Sequence, residues 1–235
     1  NGWVSDTAQR LVLESGNTDP LAFDDALPEP TRQTKSLYLH LSLGTLNDEL
    51  LVSGVHSGSE TTREHAVRVA RTFVKDRAKL ADLALASIAD SDPRVRFVAA
   101  LALGDAQDPR GAEALARFAA SSVSDDWMQA AALSSAGFDF KTFATLFVKN
   151  TDRNAPEFAG AAESIARTLA VSSGPEAIRP FLEGILAEHD EPQPWQIAVL
   201  RGALQGALES DAFGEGPALT RVRNALGDDG VGQHL

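Results

Sequence analysis

The sequence predicts an all-α protein, a right-handed solenoid of about six antiparallel helix pairs stacked side by side. Three observations carry that prediction. Apolar residues recur at helical spacing through nearly the whole chain, for example Val95, Val98, Ala99, Ala102 and Leu103. The helical stretches run some 10–16 residues and are joined by only a few residues, which forces neighbours to be antiparallel. Finally, the pattern repeats: Arg63, Arg96 and Gln129 stand 33 residues apart when TREHAVRVA, VRFVAALAL and MQAAALSSA are aligned. On the intervening helices Leu83, Leu115 and Leu146 follow at 32 and 31 residues, and Trp127 and Trp195 open equivalent helices 68 apart.

In chain order, a helix is expected from about Val4 to Glu14, stopped by Gly16. Asp19–Pro30 (DPLAFDDALPEP) is acidic, proline-punctuated and read as a broken helix and loop. Thr31–Leu46 is the next long helix, and Asn47 or Asp48 caps a short one through Val55. Helices then follow at Glu60–Val74, Asp76–Ala89, Pro93–Ala106 and Pro109–Ser121. The second half continues with Asp126–Gly137, Phe140–Lys149, Pro156–Val171, Pro175–Ala187 and Pro194–Leu208. The Asp92-Pro93 start is the most explicit of these. Aspartate accepts hydrogen bonds from the first orphan N–H groups, and proline fits the first helical position because its missing N–H has no helical partner. Gly104 is expected to end that helix. The solenoid is expected over 1–209, most regular in 1–140. The remainder, 210–235, reads as one helix (Pro217–Leu226) and a flexible end.

Composition narrows the function classes. One Tyr, three Trp and eleven Phe in 235 residues suit close helix packing better than sheets. A formal net charge of −12 opposes broad nucleic-acid binding, which needs Lys and Arg to displace counterions, and opposes attachment to an anionic membrane. With no cysteine there are no disulfides, iron–sulfur ligands or covalently held c-type haem in this span. No apolar run approaches the roughly 18 residues of a membrane span. The first residue is Asn1 and the lone methionine is Met128, so the chain is expected to be a processed product or an excised piece of something longer.

Asp92-Pro93-Arg94-Val95-Arg96 followed by Ala99-Ala100-Leu101-Ala102-Leu103-Gly104 resembles the short form of HEAT repeats, which implies the solenoid but is nearly silent on function. Three stretches carry a narrower resemblance: Asn1-Gly2-Trp3 with Asp6–Leu11, then Leu46–Leu50, then DPRVRFVAALALGD on to Ser135. Together they are similar to the HEAT segment of large bacterial membrane-bound dehydrogenases, in which a β-propeller precedes the repeats and a c-type haem domain with C-x-x-C-H follows. That resemblance covers roughly 1–140 and implies an extracytoplasmic, periplasmic-type setting in which this piece joins or orients active domains. Neither propeller nor haem motif lies in the chain, so no catalytic residue carries over.

The residues themselves hold no catalytic constellation. Histidines at 40, 56, 65, 189 and 234 show no i, i+3 or i, i+4 pair, and His189-Asp190-Glu191 reads as a polar loop. The acidic junctions Asp90-Ser91-Asp92, Asp105 with Asp108, and Asp125-Asp126 precede helices and are expected to cap them. Ser134-Ser135 and Ser172-Ser173 lack a nucleophile-elbow context, and no phosphate-binding glycine motif occurs. What remains is a set of candidate partner contacts: Arg63, Arg94 and Arg96 (with Arg68), and the tryptophans Trp3, Trp127 and Trp195 at helix starts. For the arginines the structural reading is pairing with turn aspartates such as Asp92 and Asp125; for the tryptophans it is packing at the junctions. The expectation is a non-catalytic scaffold without metal or cofactor, binding protein or neighbouring domains and not nucleic acid or membrane. The alternative is an enzyme on a HEAT-like fold, as in alkylpurine DNA glycosylases and bilin lyases. The first would want a basic concave face, the second a tetrapyrrole-sized groove.

Overall fold

The computed structural model describes residues 28–188 and 191–210, together with Arg10, Leu11 and Glu14. The predicted first helix (whose three described residues are helical), the acidic loop up to Leu27, Trp3, His189-Asp190 and the tail beyond Ser210 otherwise lie outside the described residues. Among the described residues the fold is all-α, with no strand. The helices are α1 (Glu29–Leu43), α2 (Asp48–Val55), α3 (Glu60–Phe73), α4 (Arg77–Ser87), α5 (Pro93–Ala106) and α6 (Arg110–Ser121). They continue with α7 (Asp126–Ser135), α8 (Phe140–Asn150), α9 (Phe158–Ser173), α10 (Pro175–Leu186) and α11 (Pro194–Glu209).

In each acidic junction one aspartate caps a helix, whereas Asp90 pairs with Arg63 and Asp105 lies within α5 and pairs with Arg71. Asp92 accepts from the Arg94 N–H at 2.8 Å, Asp108 from that of Arg110 at 3.0 Å, and Asp125 from those of Trp127 and Met128. Asn47, Ser59, Asp76 and Asp139 do the same for α2, α3, α4 and α8. Each such cap stabilises its helix by about 1 kcal/mol. The end of α5 falls at Ala106, as the expected bounds have it, but Gly104 does not stop the helix. The helix runs through Gly104 to Ala106, whose side chain is fully buried, and Gln107 takes the left-handed turn at φ 52°. Helix α7 stops at Ser135, and a 3₁₀ turn over Ala136–Asp139 brings Asp139 into position to cap α8.

The described residues divide into two compact units between Gly111 and Ala112. In the first, α1, α3 and α5 lie side by side as one layer. The second layer holds α2 and α4, with α2 against α3 and α4, and α4 against α5. Leu37, Leu39, Leu51, Val67 and Val69 are buried among them. The α1–α3 seam is polar at its edge: Thr34 and Thr62 hydroxyls meet at 3.1 Å, and Tyr38 Oη and His65 Nδ1 share a 2.8 Å hydrogen bond.

In the second unit α9 packs against α8, α10 and α11, and α8 against α10. Phe140, Phe143, Phe147, Phe158 and Trp195 form a column of rings with successive centroids 5.4–6.3 Å apart. The closest approach is between α9 and α11. A Cβ at Gly202 would lie 2.9 Å from the carbonyl carbon of Glu163, and one at Gly206 would lie 2.8 Å from Ala170 Cβ. Glycine spaced Gly202-x-x-x-Gly206 lets the two backbones touch. Guanidinium–carboxylate forks flank that contact, Arg201 on Glu163 and Arg167 on Glu209. Leu115 is fully buried, whereas Leu83 and Leu146 at the same period, and Leu101 on α5, are only part-buried; the α5 positions that fill the core are Val95, Val98, Ala99, Ala100, Ala102, Leu103 and Ala106.

Candidate functional site

The periodic position 63/96/129 is built the same way each time. It is the fourth residue of α3, α5 and α7, one turn in from the cap, so its side chain reaches back over the turn that precedes the helix. Arg63 Nη1 donates to the Ser57 carbonyl at 3.0 Å; Arg96 Nη1 donates to the Asp90 and Ser91 carbonyls at 2.8 and 2.9 Å. Gln129 Nε2 donates to the Ala119 and Ser122 carbonyls at 2.7 and 3.1 Å. Gln196, near the start of α11, donates to the Ile185 carbonyl at 2.7 Å. These groups bond carbonyls in the turn or helix end before them; those of Ala119, Ser122 and Ile185 also accept a backbone N–H, and a carbonyl's two lone pairs take both, so either a guanidinium or an amide serves.

The expected aspartate pairing of Arg96 is therefore replaced by carbonyl pairing. Asp92 instead takes Arg94, at 3.1–3.2 Å, and Asp125 caps α7. The carboxylate rung belongs to Arg63, whose Nε and Nη2 bind both oxygens of Asp90 at 2.7 and 2.9 Å. That fork ties α3 to the turn before α5, and it is largely covered, with 17% and 11% of the two side chains exposed. Hydrogen bonding from Arg63 holds the Asp90 carboxyl below the usual range. Arg94 does the same to Asp92, and Arg110 brings Asp108 down to about 2. Arg68 pairs with Glu64 on its own helix. These shifts keep the carboxylates ionised, the reverse of what a carboxylic general acid requires.

The tryptophans part company. Trp195 is 7% exposed, packed on Phe158 with the Arg153 guanidinium 4.8 Å above its ring. Trp127, at the second position of α7, is 77% exposed. It holds the same helical position as Arg94 in α5 and Thr61 in α3, both also exposed.

Between α8 and α10 a cleft of about 350 Å³ opens, floored by Val148, Phe181 and Ile185, with Lys141 and Lys149 on one wall. Sequence reasoning missed it, as it missed the phenylalanine column and the Gly202/Gly206 contact. The last two had visible signals, an i, i+3, i+7 run of Phe and a small-x-x-x-small pair. Among the described residues no group of three His, Cys, Asp or Glu could hold a metal, no buried polar side-chain atom lacks a hydrogen-bond partner, and no helix is long and apolar enough to cross a membrane.

Compared with known proteins, residues 49–136 match the family model for HEAT repeats, spanning α2 to α7. That fits the stacked hairpins and the repeat read from the sequence. No curated protein and no solved structure matches the chain.

Proposed function

We propose that this chain is a non-catalytic docking and scaffolding module, with the exposed helix starts as its contact surface. HEAT repeats act as scaffolds for protein interaction, and the match over residues 49–136, within this chain's most regular part, supports that reading. The observation that carries the reading is Trp127: a large aromatic held in the open at a helix start, on a backbone fixed by the Asp125 cap and the Gln129 clamp. Leaving such a surface in water is unfavourable, and tryptophan is enriched where partners bind. Arg94 stands at the same helical position of α5, its guanidinium held by Asp92 yet 55% exposed.

The reading extends to context. The likeness of Asn1-Gly2-Trp3 with Asp6–Leu11, of Leu46–Leu50 and of DPRVRFVAALALGD on to Ser135 to the repeat segment of membrane-bound dehydrogenases supports a spacer role in a larger extracytoplasmic redox protein. A propeller before this segment and a C-x-x-C-H domain after it in the parent gene would support that extension, and their absence would remove it.

Photo-crosslinking tests the docking reading. Benzoylphenylalanine at position 127 is expected to give one discrete adduct that excess unlabelled protein competes away, while the same group at exposed Gly160 gives none. Equal adducts from both positions, or none from 127, would overturn it.

A further inference from the structure

We propose that the cleft between α8 and α10 docks an acidic peptide segment that presents large apolar side chains between its carboxylates. This rests on the docking reading above and names the chemistry of one partner. The cleft lies in the second unit. The glycines let α9 and α11 touch backbone to backbone, whereas α8 and α10 leave an open cleft between them. Its floor is apolar (Val148, Phe181, Ile185), and about 350 Å³ holds two or three large side chains.

Charge selects the occupant. Most described arginines in this acidic chain already sit on carboxylates. Lys141 and Lys149 do not: both are exposed and neither forms an ion pair among the described residues. The acid on the rim, Glu188, is engaged by the Arg153 fork, so it does not cancel them. The cleft is thus an apolar trough with two uncompensated ammonium groups, in a protein whose net charge of −12 would repel the same peptide elsewhere. Eight residues apart on α8, the two lysines are separated by roughly 12 Å of helical rise. That spacing matches carboxylates about four residues apart in an extended peptide or two turns apart in a helical one, with the apolar side chains between them. A neutral apolar ligand would make no use of the lysines, and a basic one would be repelled.

The probe is a fluorescein-labelled peptide DDLFDDLFDD, followed by fluorescence anisotropy against the full chain, with KKLFKKLFKK as the opposite-charge control. Saturable binding of the acidic peptide alone is expected, weakening several-fold as salt rises towards ~0.3 M. Lys141→Glu with Lys149→Glu should weaken it at least tenfold. Gly184→Leu should do the same by a different route. A Cβ at Gly184 meets nothing within 4 Å, so leucine fills the cleft without straining the fold. Lys75→Glu, in the other unit, should change binding less than twofold. Absence of saturable binding, equal binding of the basic peptide, or wild-type affinity in both cleft variants would overturn the proposal, as would dodecanoate binding where the peptide fails. A negative peptide result with the Trp127 cross-link intact removes the cleft alone. Loss of the cross-link as well removes the docking reading on which it rests.

Discussion

Replacing Gly202 by alanine should destabilise the second unit, against the intrinsic preference of a helix for alanine. The new Cβ would fall 2.9 Å from the Glu163 carbonyl carbon and nearer still to its oxygen, where real Cβ atoms keep beyond 3.0 Å. The obstacle is backbone of a neighbouring helix and cannot rotate away, so α11 must back off α9 by roughly 1 Å, a gap that forfeits a quarter to a half of each dispersion contact across the seam. Ala162, Ala166, Leu169 and Ala170 on α9, and Val199 and Ala203 on α11, are buried there. The Arg201–Glu163 and Arg167–Glu209 forks would stretch with them. Overpacking of this kind costs typically 1–3 kcal/mol, more when backbone must move, and alanine returns about 1 kcal/mol of helix propensity. The expected net loss is about 2–4 kcal/mol. Gly160 supplies the control: on α9, with nothing within 4 Å of its built Cβ, Gly160→Ala should stabilise by up to about 1 kcal/mol. Urea unfolding followed by far-ultraviolet circular dichroism reads both. If Gly202→Ala proves as stable as Gly160→Ala, the backbone contact between α9 and α11 does not exist as described.

Two further outcomes follow from burial and charge. Leu115→Ala, at a fully buried position, should cost about 2–5 kcal/mol, and half-buried Leu101→Ala about 1 kcal/mol; reversal of that order in urea titration would refute the assignment. The Arg63–Asp90 fork should show in the acid limb of stability. Because the folded Asp90 carboxyl titrates below its unfolded value, its contribution is complete above about pH 4 and is lost as pH falls through the folded pKa. Wild-type and Asp90→Asn stability curves should therefore lie a constant distance apart near neutrality and converge below about pH 4, with Arg63→Ala costing about 1–3 kcal/mol at pH 7. A gap that widens on acidification would contradict the pairing.

The sequence was most legible where one local signal sufficed. Asp92-Pro93 specifies a helix start by hydrogen bonding and ring geometry alone, and α5 begins at Pro93. The 33-residue spacing of Arg63, Arg96 and Gln129 marked a fold-serving position because a turn clamp must follow the repeat. The clamp's partner was not legible. Carboxylates and carbonyls both attract a guanidinium, and which one lies within reach depends on how the preceding turn folds back. Gly104 misled because glycine stops a helix only where the chain can leave it. Here buried Ala106 holds the helix on for two more residues, and Gln107 turns it. Trp127 and Trp195 share a helix-start position yet differ in exposure, 77% against 7%. Phe158 and Arg153, which cover Trp195, lie some forty residues upstream of it, so nothing near either tryptophan announces the difference. The α8–α10 cleft is an effect of helix spacing and leaves no motif at all.

The central claim is a division of labour, in which the periodic clamp serves the fold and the exposed helix starts serve a partner. Urea midpoint and yield of the position-127 adduct partner, captured by affinity pull-down, measured side by side on Arg96→Ala and Trp127→Ala, test it most directly. Arg96→Ala removes two charge-assisted hydrogen bonds to turn carbonyls and should lower stability by about 1–2 kcal/mol while leaving capture intact, with Arg96→Gln restoring the midpoint as Gln129 does one period on. Trp127→Ala should leave the midpoint within about 0.5 kcal/mol, as at an exposed site, and abolish capture. The opposite pattern, with capture lost in Arg96→Ala at unchanged stability and retained in Trp127→Ala, would contradict the account.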